Sequence, residues 1–74
     1  MRIITVWPEA GKYNVSLCRA PGDEIRCLGT EDDLDLAIEL AEYKAERYED
    51  VEEIDVQADV AGITTRTIRV GAAS

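Results

Sequence analysis

The sequence predicts an α+β domain in which a largely antiparallel five-stranded sheet, in the order βββαββ, carries one helix packed on one face. Three observations predict it. Apolar residues alternate with period two toward both ends of the chain, they recur at helical spacing between Glu31 and Glu49, and Gly or Pro punctuates the runs. Seventy-four residues suffice for one domain, 1–74, with a single modest core. A content of 46% hydrophobic against 32% charged residues favours folding over disorder.

Arg2 to Trp7 is rich in β-branched residues and reads as the first strand, followed by a turn at Pro8-Glu9-Ala10-Gly11 and a second strand from Lys12 to Arg19. Pairing Ile4 with Val15 and Val6 with Tyr13 collects four apolar side chains on one face, the register that a buried face selects. Ala20-Pro21-Gly22-Asp23 has Pro and Gly in the order of a type II turn, and Glu24 to Leu28 follows as a short third strand. Its facing is ambiguous, because Ile25 and Leu28 have opposite parity.

Thr30 suits a helix N-cap with Asp33 three residues on, and Glu31 and Asp32 favour the positive end of the helix dipole. The helix is expected from about Glu31 to Glu49, with Leu34, Ala37, Ile38, Ala41, Ala45 and Tyr48 in one stripe against the sheet. Glu53 to Val60 alternates strictly, Ile54, Val56 and Ala58 inward and Glu53, Asp55, Gln57 and Asp59 outward. Ala61-Gly62-Ile63 suits a hairpin loop that would set Ile54 against Val70, Val56 against Ile68 and Asp55 against Arg69. Gly71-Ala72-Ala73-Ser74 is expected to be a flexible tail.

The net charge of -8 and pI near 4.3 oppose direct contact with nucleic acid or anionic membranes, and point to a basic protein partner. Thirteen of the sixteen acids and two of the eight bases lie between Glu31 and Asp59. On a helical wheel Glu31, Asp35, Glu39, Glu42, Glu46 and Glu49 form one ridge, flanked by Asp32 and Asp50, with Lys44 and Arg47 outside it. Glu53, Asp55 and Asp59 are expected to continue the same sign. Like charges one turn apart cost a few tenths of a kcal/mol per pair in a helix, so selection for stability alone would place Lys or Arg there. Solubility is the plain reading of such a face. The sharper one is mimicry of a phosphate backbone, with these ten carboxylates as the partner-binding set. Leu36, Leu40 and Tyr43 form a second apolar strip, either wrapped by the sheet edge or a second subunit, or an anchor for a partner.

Little supports catalysis. The chain has no histidine, hence no Ser-His-Asp or Cys-His arrangement, and no enzyme activity is expected. Cys18 and Cys27 fit neither a zinc spacing nor a redox pair, and they are read as two free thiols that could meet across a hairpin only under oxidising conditions. Glu31-Asp32-Asp33-Leu34-Asp35 lacks the Gly and the closing Glu of a calcium loop. No metal or cofactor is expected. No apolar run approaches the length of a membrane span and no signal peptide precedes the first strand, so a cytoplasmic protein, monomer or homodimer, is the expectation.

In size, one-helix-on-sheet layout and acidity the whole chain resembles the small phage-encoded anti-CRISPR proteins, inhibitors of type I surveillance complexes that occupy a DNA-binding surface. The resemblance implies a cytoplasmic inhibitor in a bacterial host and assigns no residues. Gly11-Lys12-Tyr13-Asn14-Val15 in the second strand, with Gly29-Thr30-Glu31-Asp32 before the helix, is similar to the HicB-type antitoxin domain over about the first fifty residues. That likeness implies neutralisation of a basic ribonuclease toxin. Both imply inhibition by binding.

Overall fold

A computed structural model describes residues 2–20, 22–57 and 66–70. The elements are β1 (Arg2–Glu9), β2 (Lys12–Cys18), β3 (Glu24–Glu31), α1 (Leu34–Ala45), β4 (Val51–Val56) and β5 (Arg66–Arg69). They form the expected α+β arrangement, one sheet in the spatial order β3-β2-β1-β4-β5 with a single helix against it. Three of the pairings are antiparallel, and β1 with β4 is parallel, because the intervening helix returns the chain to the same end of the sheet.

The first hairpin is tighter than expected. β1 continues through Pro8 and Glu9, and the loop is only Ala10-Gly11, with φ of 53° and 81°. Two consecutive positive φ values mark a type I′ turn, whose twist matches that of paired strands. The register therefore moves by two, to Ile4 opposite Leu17 and Val6 opposite Val15. A shift of two preserves parity, so the same face stays apolar. Pro8 is tolerated because it shares the parity of Val6, whose carbonyl accepts from the Gln57 N–H. Its missing N–H thus faces the β4 side, beyond the last residue of β4.

β3 settles the parity conflict with two bulges. Register shifts fall between Val15 and Ser16 and between Leu17 and Cys18, so Leu28 and Ile25 are each the extra residue. Leu28 packs on the core, whereas Ile25 is 40% exposed. β3 also runs further than Leu28, because Thr30 pairs with Asn14 and Glu31 with Tyr13. With those residues held in the ladder, the helix begins later than expected. Asp33 is its N-cap, in extended conformation and without a side-chain cap bond, in place of Thr30.

The apolar stripe of α1 meets the sheet as expected, with Ala37, Ile38, Ala41 and Ala45 buried against Ile4, Val6, Val15, Leu17, Ile54 and Val56, and Leu34 and Tyr48 partly buried. The helix stops at Ala45. Beyond it, Arg47 donates to the Lys44 carbonyl and Tyr48 to that of Ala45, so the chain tightens into turns. A further register shift between β1 and β4 lets both Val51 and Ile54 face the core. β5 pairs Ile54 with Ile68 and Asp55 with Thr67, again two residues from the expected register, and Glu53 is the residue opposite Arg69. Ala58, Asp59, Val60, the expected loop Ala61-Gly62-Ile63, and the tail 71–74 lie outside the described residues.

Candidate acidic interface

The ten candidate carboxylates do not form one surface. Asp35, Glu39, Glu42 and Glu46 are exposed along one flank of α1 and its C-cap, about a third of a turn round from the buried stripe. Among the described residues no ion pair reaches any of the four. Glu31 and Asp32 belong to the end of β3 and the bend after it, and Asp32 is held by Lys12 Nζ at 2.8 Å. That contact raises the Lys12 pKa. Glu49 is exposed beyond the helix.

The strand acids depart from expectation for a topological reason. Ile54 and Val56 face α1, so Glu53 and Asp55 point to the other side of the sheet and cannot extend a ridge on the helix. Asp55 is also no surface group. It is 6% exposed, because β4 lies between β1 and β5 and the carboxylate sits between Thr5 and Thr67. Burial, then the neighbouring charge of Glu53, pushes its pKa up, against a hydrogen bond from Thr67 that lowers it. Asp59 falls outside the described residues.

The apolar strip also divides. Leu40 packs on the core, and a Cβ added at Gly29 would lie 2.9 Å from its Cδ2, so it is wrapped by β3. Leu36 is 47% exposed and Tyr43 53%. The Tyr43 hydroxyl accepts a hydrogen bond from Arg47, whose guanidinium lies 4.8 Å from the ring centroid, with Lys44 at 6.0 Å. The protein's own cations therefore occupy the face of this ring.

Sequence reasoning missed a polar row on the helix-free face. Cross-strand register places Cys27, Ser16, Thr5, Asp55 and Thr67 side by side across all five strands. Cys27 Sγ donates to Asn14 Oδ1 at 3.2 Å, Asn14 Nδ2 to Ser16 Oγ at 2.9 Å, and Ser16 in turn to Glu24. Thr5 is 2% exposed, and among the described residues its hydroxyl finds no oxygen or nitrogen partner, only the Cys18 thiol beside it. The signal was present as small polar residues alternating with apolar ones on three strands. Both cysteines are free, and burial raises the pKa of the Cys18 thiol.

Elsewhere Arg2 grips Asp50 through two bonds of 2.6 and 2.7 Å and stacks 5.4 Å from the centroid of Tyr48, tying β1 to the segment after the helix. Among the described residues, no cluster of three or more Asp, Glu or Cys side chains could hold a metal ion, and no helix is long and apolar enough to cross a membrane. No family model, curated protein or solved structure matches the chain.

Proposed function

We propose that this protein is an acidic inhibitor that binds a basic nucleic-acid-binding surface of another protein, with a type I CRISPR surveillance complex as the partner and the blocking of target DNA as the effect. One observation carries the reading: Asp35, Glu39, Glu42 and Glu46 line one exposed flank of α1 with no ion pair among the described residues. Carboxylates spaced by about 5 to 6 Å along a rigid helix offer Lys and Arg side chains a substitute for phosphates. The binding surface is narrower than the sequence suggested. It comprises the helix flank, with Glu49 beyond it, and excludes buried Asp55, while Lys12 already neutralises Asp32.

Replacing Glu39, Glu42 and Glu46 together by Lys should abolish inhibition of DNA binding by a purified surveillance complex in a mobility-shift assay, with the circular dichroism spectrum unchanged. Inhibition by the wild type should weaken between roughly 50 and 200 mM salt. Full inhibition by the folded triple variant would remove the helix flank as the site.

The succession of β1, β2, β3 and α1, with Gly29 close under Leu40, supports a second reading as an antitoxin-like module over a basic ribonuclease toxin. That reading requires protection of RNA from such a toxin and no effect on DNA binding by the surveillance complex.

A further inference from the structure

The two edges of the sheet are unequal. β3 is interrupted by two register shifts, which bend and twist an edge away from other strands, whereas β5 pairs with β4 without a shift. The Val70 N–H donates to the Glu52 carbonyl at 2.9 Å, which fixes the alternation along this strand. Ile68 and Arg66, two and four residues earlier, likewise turn their backbone groups toward β4. Thr67 and Arg69 then direct their N–H and C=O groups outward. Among the described residues no strand takes them up.

Beside this edge runs a groove of about 560 Å³ between α1 and β5, lined by Ile68 and Val70 with Glu42, Glu46 and Arg69. Arg69 also lines the groove and, among the described residues, forms no ion pair, so the lining carries the carboxylates of Glu42 and Glu46 against one guanidinium and remains acidic. An added strand would send alternate side chains into this groove. There an apolar residue would meet Ile68 or Val70, and a cation would meet Glu42 and Glu46.

We propose that the outer edge of β5 and the groove beside α1 dock an extended segment of a partner protein, which adds a sixth strand and places a Lys or Arg between Glu42 and Glu46. The proposal rests on the acidic-inhibitor reading for the sign of the partner and adds the shape of the segment that it would present. Main-chain bonds to Thr67 and Arg69 supply affinity, and the groove supplies selectivity. A second copy of this chain is the disfavoured occupant, because each copy carries a net charge of -8.

The probe is a blocked heptapeptide, Thr-Val-Thr-Lys-Thr-Val-Thr, titrated into the full chain labelled for NMR. At saturation, hydrogen exchange at the Thr67 and Arg69 amides should slow by about tenfold. A peptide with Glu in place of Lys should bind at least about tenfold more weakly. Thr67→Pro removes the outward N–H, together with the hydroxyl that bonds Asp55 but no charge, and should abolish peptide binding. Should that variant fail to fold, Glu42→Gln with Glu46→Gln decides, and should bring the affinity for the Lys peptide down to that for the Glu peptide. Unchanged exchange at Thr67 and Arg69, equal binding of the two peptides, or light scattering that shows a dimer with these amides already protected would overturn the proposal. Asp35→Lys with Glu39→Lys changes the ridge outside the groove. Loss of DNA-binding inhibition in that variant, with peptide docking intact, separates the charge reading from the edge.

Discussion

Asp50 and Asp55 lie five residues apart and respond to acid with opposite sign. The Arg2 guanidinium holds the Asp50 carboxyl down at about 2, below its ordinary 3.8. The stability from that pair is present above the ordinary value and is lost as pH falls from 3.8 toward 2. Asp55 is raised by burial, so the folded state favours its neutral form. Its contribution is fully present below its ordinary value of 3.8 and is lost as pH rises through the raised one. Asp55→Asn should therefore raise the thermal midpoint at pH 7, and the gap from wild type should close below pH 3.8. A gap that persists at low pH would mean that the amide repacks the site instead of relieving a buried charge. In the sequence Asp55 looks identical to Glu53, since both alternate with apolar residues. What separates them is the pair of flanking strands at Asp55, and those neighbours follow from register.

The sequence carried the faces of the elements but not their registers. Apolar alternation in β1, β2, β4 and β5 identified which side chains enter the core, yet both expected strand pairings were two residues off. A shift of two leaves every side chain on its own face, so hydrophobicity cannot distinguish the two registers, and the length of the loop decides. The bulges of β3 were hidden for a related reason, since parity alone shows a conflict between Ile25 and Leu28 without showing how the backbone resolves it. The stripe of α1 was legible, but its first turn was not, because Thr30 and Glu31 remain in the β3 ladder. At Gly29 the sheet leaves no room for a side chain beneath the helix. Gly29→Ala would set a Cβ 2.9 Å from Leu40 Cδ2, forcing that leucine to move, and should cost about 1 to 2 kcal/mol in denaturant unfolding. Leu40→Ala removes the obstacle, so the double variant should lose less than the sum of the two single losses. Strict additivity would show that the contact is not the cause.

Across the whole molecule, the sequence revealed the sign and concentration of charge but not its direction. The acids of α1 and those of β4 are close in sequence, and the sheet between them turns them to opposite sides. That separation leaves the helix flank, where four carboxylates repel one another at spacings within the screening length of dilute salt, near 10 Å at 0.1 M. Raising sodium chloride from about 20 mM to about 0.5 M should increase the thermal midpoint of the wild type by screening this repulsion, and Glu39→Gln, Glu42→Gln, Glu46→Gln should reduce the increase. An undiminished response in the variant would place the repulsion elsewhere. The parallel seam between β1 and β4 has a different consequence, one for the order of assembly on the ribosome. The hairpin of β1 and β2 can zip as soon as it emerges, but the other side of β1 waits until Val51 to Val56 have been synthesised about fifty residues later. Until then the middle of the future sheet is an open template, and a nascent chain stalled in the helix would be the form most exposed to chaperones or to mispairing with its neighbours.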